Sequence, residues 1–219
     1  MGTTERRERQ RQELRTLILD AARELFAELG YESVTMRKIA ERIEYSPTAI
    51  YFHFKDKEAL IRELCELDFA SLAHQFQKIA REKDPIERLR KIGLAYVEFG
   101  LDFPNHYRLM FMTPHPPIAL SERDAAKRGN PEEDAYAFLK NTVEEGLAAG
   151  RFRPELTDAD LISQAVWAGT HGAISLPIAK CNDEWLDWRP TKKTASVVID
   201  AMIRGLIHNG ACEETPDGR

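Results

Sequence analysis

Apolar residues recur along this chain with a helical period and show no sustained alternation of the kind a strand would need. Leu14, Leu17, Ile18, Ala21, Ala22, Leu25, Phe26 and Leu29 advance by threes and ones, which lines one face of a helix, and Gly30 follows as a C-cap. Ile39, Ala40 and Ile43 repeat behind Thr35, predicting a two-turn helix over 36–43 with Arg37 and Lys38 outward. Ser46 and Pro47 then supply an N-cap and the residue best tolerated at the first helical position. The helix they open carries Ile50 and Phe54 on one face. From Asp56 to about Arg81, Leu60, Ile61, Leu64, Leu67, Leu72, Phe76 and Ile79 mark one long helix, about 38 Å in length for about 25 residues. Asp84-Pro85 begins the next, and Pro104 breaks it before a short aromatic segment, His106 to Met112. The proline-rich, charged run 113–131 reads as a long mobile connection. Helical patterning resumes over 132–149, again after Thr157-Asp158, and last over Thr191–Asn209. The expectation is an all-α protein of about nine helices, without internal repeats.

The two short helices and their turn, Thr35 to Leu60, carry the most chemistry. The second helix begins with small residues, Thr48 and Ala49, which would let its backbone approach base edges in a major groove about 12 Å wide. Tyr51 and His53 can donate hydrogen bonds to phosphates. Lys57 follows Asp56, the expected cap, in the first turn of the long helix, where the positive end of the helix dipole opposes a cation unless an anion meets it. A plain helical core is the competing reading of the run Tyr51 to Phe54. Successive helix residues lie about 100° apart, so four in a row cannot all face one core.

The runs T-M-R-K-I-A and S-P-T-A-I-Y-F-H-F-K-D-K-E-A-L resemble the N-terminal DNA-binding domain of TetR-type transcriptional regulators, over roughly residues 10–60. The resemblance implies that Thr35 and Arg37 lie at the edge of the groove, that Thr48 and Ala49 meet bases after the Ser46-Pro47 cap, and that Tyr51, His53 and Lys57 hold phosphates. One departure is Glu44, where the family's turn commonly has glycine. A left-handed backbone there would cost a non-glycine residue about 1–2 kcal/mol, so a wider turn is the expectation.

Charge sharpens this picture. The net charge is −5, yet residues 1–60 hold 11 basic and 11 acidic side chains, leaving 20 and 25 for the remainder. The reading head is neutral and the body would be repelled by DNA, which suits a protein touching DNA at one end. Arg6, Arg7, Arg9, Arg11 and Arg15 precede the first core helix, either as a source of salt-sensitive phosphate contacts or as an ordinary solvated helix start. At 219 residues and 43% hydrophobic content the chain can bury a sizeable core. No apolar run has the length of a membrane span, and the charged start lacks the hydrophobic segment of a signal peptide, so a cytoplasmic location is expected. Cys65, Cys181 and Cys212 are odd in number and far apart, which argues against a disulfide framework or a metal knuckle.

The body has one unusual run, Val166 to Leu176. Trp167 and His171, four residues apart, share a helix face, while Gly169, Gly172 and Ala173 clear room for another helix. This W-x-x-x-H-G pattern resembles a C-terminal domain of one TetR-type branch. Tyr96, Phe99, Phe103, Tyr107, Phe111, Trp167 and His171 are candidates for lining a mostly apolar ligand cavity, against the alternative that they simply pack the body. Ile174, Val197, Val198, Ala201, Met202, Gly205 and Leu206 are candidates for a two-fold interface, against the same alternative.

These readings divide the chain into a DNA-binding domain with a basic arm (1–56), an effector-binding and dimerisation domain (57–211) and a polar tail (212–219). The expected function is a homodimeric, one-component transcriptional repressor, released from a pseudo-palindromic operator by a small, mostly apolar molecule, with activation an open alternative. No cofactor, metal or membrane partner is expected. Rival classes, an enzyme or a helical binding protein without a DNA role, find little support, because neither a short metal-binding histidine spacing nor a G-x-S-x-G or phosphate loop occurs.

Overall fold

The computed structural model describes residues 3–115, 117, 122–180 and 183–208. Among them ten helices form: α1 (Thr3–Leu29), α2 (Met36–Arg42), α3 (Pro47–His53), α4 (Lys57–Gln77), α5 (Pro85–Asp102), α6 (Pro104–Phe111), α7 (Glu122–Lys127), α8 (Ala135–Ala148), α9 (Ala159–Ala179) and α10 (Thr191–Leu206). The only pairing of extended backbone among these residues is an isolated antiparallel bridge between Phe152 and Ile207. The expected count of nine rises to ten because α7 lies in the stretch read as a connection, where Ala125, Ala126 and Lys127 favour helix despite the nearby prolines. The predicted tail, and with it Cys212 and Cys181, lies outside the described residues, as do 116 and 118–121 of that stretch.

The described residues fall into two compact units. The first comprises Met1–Leu72 with Asp102–Arg128, the second Ala73–Leu101 with Gly129–Arg219. The first therefore extends beyond residue 56 and takes in a distant segment. Its core explains why: Ile18, Ala22, Phe26, Ile39, Ala40, Ile50, Leu60 and Leu64 are fully buried together with Leu109 of α6. An ion-pair cluster reinforces that assembly. Arg23 of α1 grips the buried Asp68 of α4 through two hydrogen bonds, 3.2 and 2.9 Å, and His106 Nδ1 of α6 stands 2.9 Å from the same carboxylate. Beside it, burial and then the Asp68 charge push the Cys65 thiol up to about 12, leaving it inert toward thiolate chemistry.

α1 begins three turns before its apolar stripe. Residues 4–13 are all exposed, so intrinsic propensity of Glu, Arg and Gln, not burial, sustains that part. Gly30 ends the helix at φ 76°. The turn between α2 and α3 is tight. Glu44 itself takes φ 61°, with Tyr45 N donating to Ala40 O (3.0 Å) and Glu44 N to Glu41 O (3.3 Å), the paired bonds of a Schellman ending. The wider turn expected for a non-glycine residue does not form, because these bonds hold the left-handed geometry against its cost.

In the second unit, Asp134 and Asp158 cap α8 and α9 by accepting two backbone N–H bonds each. The buried Arg88 of α5 donates to Thr142 Oγ1 of α8 at 3.1 Å and pairs with Glu145. Two glycines mark close approaches between helices: a Cβ at Gly93 would stand 3.0 Å from Ile199 of α10, and one at Gly169 would stand 2.1 Å from Met202 Sδ. Gly169 thus makes the room between α9 and α10 that its sequence context predicts. Gly172 faces open space.

Candidate nucleic-acid interface and body cluster

α2 and α3 owe their short, defined lengths to their caps. Thr35 Oγ1 accepts from Lys38 N at 3.2 Å, and Ser46 Oγ accepts from Ala49 N at 3.3 Å with Pro47 at the first helical position. Ile50 and Phe54 are buried beneath α3, which turns Ser46, Pro47, Thr48, Tyr51 and Phe52 to solvent, with Ala49 half-buried. Tyr51 is 55% exposed and Phe52 72%, so two of the four consecutive aromatic positions do face away from the core. Arg37 also projects outward, its Nε held 2.9 Å from Glu41. This surface of capped helix start, small residues, one phenol and one guanidinium can admit a base edge and bond phosphates.

His53 is half-buried at the end of α3, and burial, then Arg15 and Arg11, lower its pKa. Its ring is neutral at pH 7 and retains one N–H to donate. Arg15 secures the backbone here: its guanidinium stacks 4.4 Å over the Phe54 ring, donates to His53 O at 3.1 Å and pairs with Glu63. Lys57 differs from its expected state. Its Nζ donates to Tyr31 O at 2.8 Å and Val34 O at 3.1 Å, so backbone carbonyls already meet the cation that the sequence leaves waiting for an anion. Arg11, one of the arginines expected before the core helix, stands 5.4 Å from the ring of Phe52, which joins the surface without having been marked as a contact. The four-residue spacing of Arg7, Arg11 and Arg15 was the available signal.

The body candidates divide. Phe103, Tyr107 and Phe111 belong to the first unit, where Tyr107 is fully buried and Phe111 packs between Tyr107 and Phe69, at 5.0 and 5.7 Å between ring centres. Tyr96, Phe99, Trp167 and His171 belong to the second. There the Tyr96 hydroxyl accepts from Trp167 Nε1 at 3.1 Å and lies 3.2 Å from His171 Nδ1. Indole can only donate, so in the tautomer that carries its proton on Nε2 a neutral His171 accepts the Tyr96 hydroxyl proton at Nδ1. Burial lowers the His171 pKa in the same direction. Of the interface candidates, Val197 is 64% exposed, and Ala201 and Gly205 also face solvent. Val198, Met202 and Leu206 are half-buried, while Ile174 is fully buried within its own chain and offers a partner no surface.

Among the described residues no helix is long and apolar enough to cross a membrane, and no cluster of three or more potential ligands is arranged around a metal position.

Two family descriptions match the chain: "Bacterial regulatory proteins, tetR family" over residues 18–64, and "Tetracyclin repressor-like, C-terminal domain" over 89–201. The first span covers α2, α3 and their caps. Among curated relatives, the transcriptional regulator UidR of Escherichia coli K12 is 37% identical over 91 residues, 42% of this chain and 41% of that protein. The transcriptional repressor AcnR of Corynebacterium diphtheriae is 40% identical over 81 residues, 37% of this chain and 40% of that one. The chain thus matches only about two fifths of the length of these relatives. The solved structure of a TetR family transcription regulator from Marinobacter aquaeolei superposes with a TM-score of 0.70 at 19% identity, covering 91% of this chain and 98% of that one. That likeness is one of fold.

Proposed function

Because the chain belongs to the TetR family of bacterial regulatory proteins, we propose that it is a cytoplasmic one-component repressor of transcription that binds a pseudo-palindromic operator as a homodimer and leaves it when a small, mostly apolar molecule enters the helical body. The observation that carries this reading is the exposed face of α3, where Thr48 and Tyr51 stand outward on a helix fixed by the Ser46 cap and the buried Ile50. Thr35, Arg37, Thr48, Ala49 and Tyr51 are its groove residues, and His53 supplies a single N–H to the phosphate backbone. One such helix makes few base contacts, so two heads spaced about 34–36 Å apart are needed for affinity and specificity. Val197, Ala201 and Gly205, on one exposed face of α10, are the favoured positions for self-association.

Repression is preferred over activation because AcnR, a relative matching 37% of the chain, is a repressor. Placement of the body in the branch carrying the W-x-x-x-H-G pattern is part of this proposal and rests on the run Trp167 to Gly172 itself. In the body, the neutral His171 and Tyr96 give a ligand one polar anchor among apolar neighbours. A ligand that dissociates the complex must prefer the free protein, and DNA must then weaken ligand binding by the same factor.

The test is selection from randomised duplex DNA at physiological salt, with Arg37→Ala/Tyr51→Ala alongside. A two-fold symmetric motif that the variant loses supports the reading. Enrichment of no sequence by the unaltered protein would end it.

A further inference from the structure

We propose that the exposed N-terminal part of α1 is a second DNA-binding element, in which Arg7 and Arg11 bind phosphates of the duplex flanking the stretch that α3 occupies. This rests on the DNA-binding reading of α3 and extends it to a part of the chain outside the helix-turn-helix.

Residues 4–13 bury nothing, yet they form about three turns of continuous helix. The direction of that helix is set by two contacts with α3. Arg15 stacks on Phe54 and bonds the His53 carbonyl, and one turn earlier Arg11 stands 5.4 Å from the Phe52 ring. Arg7 is the next member of the same four-residue series and falls one further turn along, about 6 Å beyond Arg11. Each step of four turns the side chain about 40°, so the three guanidiniums follow a shallow spiral on one flank of α1. Glu8 borders that row, about 60° round the helix from Arg11, and Glu5 lies farther off, about 120°.

The three arginines are not equivalent. Arg15 is neutralised by Glu63 and committed to the fold. Arg11 rests on a ring, which orients a guanidinium while leaving its N–H groups free of a carboxylate, and both Arg11 and Arg7 are exposed. Side chains on a helix lean toward its N-terminus, so both reach away from the core and past the end of Phe52, which is itself 72% exposed. A cationic row continuing the outer face of α3 has the chemistry for an anionic partner that α3 already holds, the phosphate backbone of the same duplex. Such contacts carry no sequence information and lengthen the bound segment.

The experiment compares the full-length protein with Arg7→Ala/Arg11→Ala on its selected duplex, at 50 and 200 mM salt. Arg6→Ala, about 100° round α1 from Arg7 and farther from Arg11, controls for the loss of one charge off that row. If two phosphate contacts per protomer are lost, the salt slope falls by about 2 for each bound protomer. The affinity advantage of the unaltered protein then shrinks roughly tenfold per protomer between the two salt concentrations. On a duplex trimmed to the segment that α3 protects, the double variant and the unaltered protein should bind alike, with Arg6→Ala indistinguishable from the unaltered protein on both. An unchanged slope for the double variant, or an equal loss with Arg6→Ala, overturns the proposal while leaving the helix-turn-helix reading in place. If the unaltered protein selects no duplex, that reading falls and this one with it.

Discussion

The ammonium of Lys57 stands 4.0 Å from the centre of the Tyr31 ring and bonds the carbonyl of the same residue at 2.8 Å. With a second bond to Val34 O, it closes the turn that delivers the chain from α1 into α2. Lys57 is a positioning residue for Thr35 and Arg37 in this arrangement. Lys57→Met should lower stability by about 2 kcal/mol, the scale of a hydrogen bond to a charged group, read as a lower denaturant midpoint. Its effect on DNA binding should be a loss that leaves the salt slope unchanged. A slope lower by about 1 would mean that the ammonium leaves its carbonyls for a phosphate.

Glu44 holds a backbone conformation that favours glycine. Glu44→Gly should raise stability by up to about 1 kcal/mol, the relief of a left-handed residue less the added freedom of the unfolded chain. Glu44→Val should lower it. Chemical denaturation of the three proteins checks the order, and a destabilised glycine variant would contradict the φ of 61°.

Asp68 is 1% exposed and Arg23 7%, so neither charge can recover solvation when the other is removed. Arg23→Leu should cost about 3 kcal/mol, because it leaves a buried carboxylate with the His106 imidazole in place of a guanidinium that bonds both its oxygens. Adding Asp68→Leu should restore much of that loss. Thermal unfolding of the single and double variants measures the coupling, and additive losses would show that the pair does not act as one.

His171 is held below its ordinary value of 6.5 by burial. As pH falls, the unfolded chain therefore takes up this proton before the folded chain does. The contribution to stability is whole above pH 6.5 and is lost as pH drops through the lower, folded value. His171→Gln can still accept the Tyr96 proton and does not titrate. Between pH 7.5 and 5.5 its denaturant midpoint should fall less than that of the unaltered protein. Parallel losses would assign the acid sensitivity elsewhere, with His53, also lowered, the next group to replace.

What the sequence discloses depends on which atoms make a feature. The α2 and α3 boundaries are legible because caps are side chains: Thr35 and Ser46 announce themselves, and the structure shows both bonded as expected. The partners of Lys57 are carbonyls 26 and 23 positions away, and a carbonyl has no residue identity to detect. The reach of α1 back to Thr3 leaves no apolar stripe because nothing is buried there. Membership of α6 in the first unit turns on Leu109 and His106 meeting α1 and α4, a matter of tertiary path that periodicity does not contain. The body aromatics illustrate a further limit: Tyr96 and Tyr107 look alike in sequence, yet one hydroxyl joins Trp167 to His171 and the other residue lies in a different unit.

The packing of Gly93 against Ile199 has a consequence for how the molecule is made. Synthesis delivers α5 well before α10, so the face of α5 around Gly93 and Ile92 waits, uncovered, while about a hundred further residues are added. The reader has no such delay, since its final core residue, Leu109, arrives soon after α5 itself. Folding on the ribosome should therefore complete the DNA-binding half first. A stalled or truncated product lacking α10 would then carry a finished reader on an unfinished body, with the apolar flank of α5 as its point of capture by chaperones or proteases.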